Sequence, residues 1–266
     1  MIRPVATSTK PTAETTWDDF KKWWIGQGSS DSHHVVRFYD EHPLMSPALH
    51  ITKSSICVID IKSMKYTYLS PNFGEFVGRV REEYENGGVQ FTFSIIHPDD
   101  IPGVMSFSEL INEYFKNLPD SQKSQYRTFW DFRLKDHSGK YFKIIQQDCA
   151  LKYSGEGKIE ELMVIASNIE SVISSDSQRL RMTNGVENVC YRYDHHTKET
   201  IRLEDLSKRE MEIAKMIARS KSLKEIGVEL GISFNTVKVH SANMMEKLKV
   251  NDSLEMVNIL RTWGFI

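Results

Sequence analysis

Three residues in the last quarter of this chain each stand three positions ahead of a glutamate: Ser207 before Glu210, Ser222 before Glu225 and Asp252 before Glu255. In that spacing the first side chain accepts from the N–H three residues on while the glutamate reaches back to the first residue's own N–H, so each pair predicts a helix start. Apolar residues then recur at helical spacing: Ala214, Ile217 and Ala218; Leu223, Ile226 and Leu230; Val237, Met244 and Leu248; Leu254, Val257 and Leu260. Gly231 suits the left-handed residue that ends the second helix, and Ser233 can cap a third after a gap of two residues. So short a turn forces steep crossing, and the segment reads as an all-α four-helix unit with a helix-turn-helix at its centre.

Burying Val237, Met244 and Leu248 leaves Lys238, Val239, Ala242, Asn243, Glu246 and Lys247 on the opposite side of the third helix. That side has the chemistry of a major-groove reader. Ala242 is small enough for close approach, Val239 can meet a thymine methyl, and Lys238 and Asn243 can bond base edges or phosphates. Thr236 and His240 suit the phosphate backbone. The other reading of the same residues is a bundle whose outer face is solvated or meets only proteins.

These residues resemble the LuxR/GerE-type helix-turn-helix family over roughly 203–262. The resemblance rests on Leu206-Ser-Lys-Arg-Glu210, Lys224-Glu-Ile226, Ile232-Ser233 followed by Thr236-Val-Lys238 and His240, and Lys247-Leu248. It implies that the helix holding Thr236 to Leu248 reads DNA, that Lys238 and Val239 face bases or backbone, and that the final helix forms a dimer contact. With the face described above, it gives a DNA-binding set of Lys224, Ser233, Asn235, Thr236, Lys238, Val239, His240, Ala242, Asn243 and Lys247. Three departures stand out: Ser220-Lys221 replaces the glycine usual near the end of the first helix, Gly227 stands where alanine is common, and Ser241 and Ala242 stand where basic residues often lie.

Net charge is −2, and from Glu204 onward ten Lys or Arg face nine Asp or Glu. A reader so weakly charged makes few phosphate contacts alone, which points to a homodimer. No apolar run approaches the ~20 residues of a membrane span. Three widely separated cysteines, Cys57, Cys149 and Cys190, fit reduced thiols in a cytoplasm better than a disulfide framework. The paired histidines His33-His34 and His195-His196 lack the spacing that aims two rings at one metal, and no catalytic glycine loop, nucleophile elbow or metal motif marks an enzyme.

The middle of the chain carries a different pattern. Strands are expected at Ile56–Ile61 and Tyr66–Leu69 around a turn at 62–65, then a helix at Ile101–Leu118, then strands at Tyr126–Lys135, Tyr141–Tyr153 and Ile159–Asn168. The order, with Ile96-His-Pro-Asp-Asp100 before the helix and Lys135-Asp-His-Ser-Gly-Lys140 between strands, resembles a PAS domain. That resemblance implies an antiparallel sheet with helices on one face and a role in sensing small molecules or mediating protein contacts. A flavin site would need a cysteine on the helix after the second strand and a haem a histidine on the long helix, and neither is present, so no cofactor is expected. Phe91, Phe93, Phe107, Tyr114, Phe129, Trp130 and Phe132 would either line an apolar ligand pocket or simply pack the core.

The organisation expected is therefore α+β followed by all-α: an extension at 1–47 with an amphipathic helix in which Trp17, Phe20 and Trp24 share a face, a PAS-like domain at 48–172, a connector with a hairpin at 173–202, and the helix-turn-helix unit at 203–266. In that hairpin Val189–Tyr193 would pair with Thr200–Leu203, while the polar stretch from Ser171 to Glu187 would be mobile or helical. The function this order implies is a one-component, non-enzymatic transcriptional regulator in the cytoplasm. Its partners would be promoter DNA, RNA polymerase, a second copy and a small molecule in the sensor. The alternative is a signal-binding or interaction module whose helical end only mediates contacts.

Overall fold

The computed structural model describes residues 45–154, 158–173 and 177–266, so the helix expected around Trp17, Phe20 and Trp24 lies outside the described residues. The described chain opens with α1 (Met45–Ile51), β1 (Ser54–Asp60), β2 (Lys65–Leu69), α2 (Phe73–Val77) and α3 (Arg81–Ser94). A single 3₁₀ turn, Pro98–Asp100, then leads into α4 (Ile101–Lys116) and the short α5 (Asp120–Lys123). Six strands follow: β3 (Arg127–Lys135), β4 (Tyr141–Tyr153), β5 (Ile159–Asn168), β6 (Gln178–Thr183), β7 (Asn188–Asp194) and β8 (Glu199–Arg202). All eight strands join one antiparallel sheet in the order β2-β1-β5-β4-β3-β6-β7-β8.

The sheet's two faces follow from the two-residue period of its strands. Trp130, Phe132 and Leu134 of β3 and Phe142 and Ile144 of β4 turn to one face, where Val104, Phe107 and Ile111 of α4 close a hydrophobic core over them. Asp100 fixes the start of α4 against β3: its carboxylate accepts the Arg133 backbone N–H at 2.7 Å and the Arg133 guanidinium at 2.5 Å. Phe129 and Ile145, one residue out of phase, pack instead with the C-terminal helices on the opposite face. The antiparallel sheet with a helical cover is as the PAS resemblance implied, but helices cover both of its faces rather than one.

The described part of the polar stretch expected to be a mobile or helical connector is largely a strand and the hairpin start after it. Gln178–Thr183 forms β6 beside β3, with Trp130 opposite Leu180 and Arg127 opposite Thr183. Leu180 and Met182 alternate into the first core, while Arg179 and Arg181 point to the other face and are also buried. A strand buried on both sides with arginines on one of them has the composition of a solvated linker, which is why its polarity misleads. The hairpin after it forms as expected, pairing Tyr191 with Arg202 and Asp194 with Glu199. Asp194 closes its turn by accepting the N–H groups of His196 and Thr197 at 2.9 and 3.2 Å. Residues 178–202 therefore continue the sheet.

Four helices complete the chain: α6 (Lys208–Ala218), α7 (Leu223–Leu230), α8 (Phe234–Leu248) and α9 (Ser253–Thr262). Ile213, Ala214, Ile226, Val237, Met244, Leu248, Met256 and Leu260 form their common core, which Ile145, Ile169 and Ile173 extend toward the sheet. Leu254, expected in the buried row of α9, is 70% exposed. It lies in the first turn, and the buried row of that helix is carried by Met256, Val257, Ile259 and Leu260.

Candidate nucleic-acid interface

Two of the helix starts read from the sequence are full reciprocal boxes, and the third is half of one, because Glu255 accepts from Asn251 N at 3.2 Å rather than from Asp252 N. Ser207 Oγ accepts from Glu210 N at 3.2 Å while Glu210 Oε2 accepts from Ser207 N at 2.7 Å, and Ser222 with Glu225 repeats the pair at 3.3 and 2.8 Å. Asp252 accepts from Glu255 N at 2.8 Å. Ser233 Oγ caps α8 by accepting from Thr236 N at 3.0 Å. Such caps each stabilise a helix by about 1 kcal/mol.

Gly231 takes φ 64°, which ends α7 and turns the chain within two residues into α8. The turn folds back so tightly that a Cβ on Gly227 would lie 2.8 Å from the Ile232 carbonyl oxygen. Ser220 adopts φ 62° after α6, a left-handed conformation that explains why glycine is usual near that position.

The turn and caps present α8 with one row inward and one outward. Val237, Ser241, Met244 and Leu248 are buried. Asn235, Thr236, Lys238, Val239, Ala242 and Asn243 are exposed, Lys224 and the cap Ser233 are exposed beside them, and His240 is half-buried at the margin. Val239 is 57% exposed, a large apolar side chain left in water, and Phe234 in the first turn is 44% exposed. Isolated, either exposure would be ordinary; together on the N-terminal half of a capped helix flanked by Lys238 and Asn243, they fit a groove lined with thymine methyls and acceptor edges. Phe234 was not foreseen, because its position just after a cap carries no periodic signal.

Lys247 departs from the rest of the set. Its ammonium lies 2.8 Å from Glu210 Oε2 and 3.4 Å from the Asp205 carbonyl, bridging α8 to the start of α6. Burial pushes the Glu210 carboxyl up, but the Lys247 ammonium and the Ser207 donors outweigh it and hold the group below the usual carboxylate range. This cross-helix pair braces α8 and draws Lys247 away from the exposed strip.

A second site lies inside the sheet domain. A cavity of about 70 Å³ between the sheet and α3–α4 is lined by Ile59, Met64, Tyr66, Phe93, Trp130 and Phe132 among others, with the Gln146 amide in its wall. Of the aromatic residues expected to line a pocket, Phe93, Trp130 and Phe132 do so; Phe91, Phe107 and Tyr114 pack in or against the surrounding core, and Phe129 lies on the opposite face. Behind the wall sits a carboxylate, Asp148. Its oxygens accept from Gln146 Nε2 at 2.7 Å, Trp130 Nε1 at 2.7 Å and Thr128 Oγ1 at 2.9 Å. Burial raises its pKa to about 6, against the pull of those three donors. Among the described residues no group of three or more His, Cys, Asp or Glu is arranged to hold a metal ion.

Residues 204–260 match the family described as bacterial regulatory proteins, luxR family. The transcriptional regulatory protein UhpA of Escherichia coli is 47% identical over 55 residues, 21% of this chain and 28% of that protein. The spore germination protein GerE of Bacillus subtilis is 44% identical over 57 residues, 21% of this chain but 77% of GerE. The chain thus spans under a third of UhpA and most of GerE. A solved structure of the Vibrio cholerae VqmA dimer without target DNA aligns at TM-score 0.32 and 15% identity over 84% of this chain and 88% of that one.

Proposed function

Because the chain belongs to the luxR family of bacterial regulatory proteins, we propose that it is a sequence-specific DNA-binding transcriptional regulator that reads promoter DNA with α8 and carries its sensor in the same chain. The observation that supports this most is the strip Asn235, Thr236, Lys238, Val239, Ala242 and Asn243, held outward by a buried row on the other side of the same helix. Lys238 and Asn243 supply donors, Val239 and Ala242 the apolar approach, and Ser233, Lys224, Thr236 and His240 the phosphate side of the contact. Lys247 contributes by holding α8 to α6.

The reader works as a homodimer, since its near-zero net charge gives each copy few phosphates to neutralise. The apolar cavity bounded by Trp130, Phe132 and Gln146 takes a small molecule, whose binding shifts the regulator between arrangements by its differential affinity for them. No helix among the described residues is long and apolar enough to cross a membrane, and the protein acts in the cytoplasm beside RNA polymerase, with no catalytic step.

The test is selection by the purified full chain from a pool of randomised duplexes. A recurrent base sequence in the retained DNA is the expected result. Retention without any base preference would overturn it and favour the reading in which exposed Phe234 and Val239 belong to a protein-contact face.

A further inference from the structure

Strand β6 reaches the reading helix from behind. Its outward arginines meet the C-terminal ends of two helices of the C-terminal unit. Arg179 donates to the Leu248 carbonyl at 2.8 Å and to the Lys249 carbonyl at 3.5 Å, where α8 ends. Arg181 donates to the Trp263 carbonyl at the end of α9, and its guanidinium lies 4.2 Å from the Phe265 ring centroid and 5.4 Å from that of Phe129. Carbonyls in the last turn of a helix lack intrahelical partners and carry the negative end of the helix dipole, so a cation is favoured there.

The grip is directional as well as electrostatic. Both arginines are buried, at 4% and 6% exposure. Arg181 is further fixed by donating to Asn188 Oδ1 at 2.9 and 2.6 Å, and Arg179 is anchored through its backbone N–H, which Asp131 accepts at 2.7 Å. A planar guanidinium bonded on several edges holds an orientation that a point charge would not. Asn258 of α9 adds a bond to the Val172 carbonyl at 3.0 Å. The exposed strip of α8 is left free throughout.

We propose that Arg179 and Arg181 are positioning residues for DNA reading: from the sensor sheet they fix the direction of α8, and so set the spacing of the two half-sites a dimer reads while leaving base choice to the exposed strip. This rests on the DNA-reading dimer proposed above. Two readers each locked to its own sheet can meet only half-sites whose separation matches the frame, commonly about one helical turn or 34–36 Å. Two readers on loose tethers tolerate many separations and lose the gain in effective concentration that a matched geometry gives.

Full-length protein and the variant carrying Arg179→Met and Arg181→Met, which keep apolar stems without donors, are put through the same duplex selection. The native chain should select two half-sites at one separation. The double variant should select the same half-site sequence at scattered separations, binding the native arrangement about 10-fold more weakly or worse but a single half-site within about two-fold of native. Arg179→Met combined with Arg181→Lys, which keeps one cation, should restore part of the spacing preference that the double variant lost. Retention of the native separation by the double variant overturns the proposal, as does a native chain that selects single half-sites, or parallel loss of single-site binding. Circular dichroism checks folding, and should the double variant unfold, Arg179→Met alone, with the Arg181 grip intact, gives the same readout at the end of α8. Failure of the native chain to select any base sequence takes down the DNA-reading proposal itself, and this one with it.

Discussion

Asp148 is a carboxylate placed where water does not reach, and its replacement by asparagine tests how the sensor interior is balanced. Burial raises its folded pKa to about 6, roughly two units above an ordinary aspartate near 3.9, which corresponds to about 3 kcal/mol. Because the folded value exceeds the unfolded one, the native chain keeps a proton that the unfolded chain releases. The stability tied to this group is therefore full below about pH 4 and is lost as pH rises through about 6. Asparagine keeps the shape: its oxygen can accept from Thr128 and Trp130, and its amide can donate to a reversed Gln146 amide. Bonds to a charged acceptor are stronger than neutral ones, so part of the gain is offset, leaving a net stabilisation of about 1–2 kcal/mol at pH 7.5. For a chain of this size that raises Tm by roughly 2–8 °C. The assay is thermal unfolding of both proteins from pH 4 to 8, read as the difference in Tm, in which the other buried carboxylates, Asp100, Asp131, Glu161 and Glu210, largely cancel. The difference should be near zero at pH 4 and grow through pH 6. A difference independent of pH would refute the assignment of a desolvated charge to Asp148.

Val237→Asp puts an unpaired charge at a fully buried site of α8, so it should unfold the C-terminal unit rather than merely weaken DNA binding. Loss of its helical signal by circular dichroism while the sheet domain still melts separately is the expected outcome, and an unchanged melting profile would contradict the packing described.

What the sequence made legible was local. Each cap and its glutamate are three residues apart, so Ser207, Ser222 and Asp252 announce their own hydrogen bonds, and β4 and β5 fall on the expected residues because β-branched and aromatic side chains alternate between defined turns. What stayed hidden depends on distant partners. The Lys247–Glu210 pair joins residues 37 positions apart, and nothing in the sequence around Lys247 distinguishes a brace from a phosphate contact. Arg179 and Arg181 look like solvated linker residues until the carbonyls of Leu248 and Trp263 arrive over them. Alternation puts Phe129 on the opposite face from Trp130 but does not reveal that helices cover that face as well. Leu254 keeps helical spacing with Val257 yet stays exposed, because a periodic position in a first turn need not reach the core.

The most direct test of the central claim is the salt dependence of DNA binding by the full chain and by Lys238→Ala on the selected duplex. Lys238 is exposed opposite the buried row of α8, so its loss should leave helical content and Tm nearly unchanged. If it holds a phosphate, affinity should fall and the slope of log K against log salt should shrink by about one unit; if it reads a guanine, about 1–3 kcal/mol of discrimination at one base position should disappear. Unchanged affinity, slope and base preference would mean that this face of α8 does not read DNA.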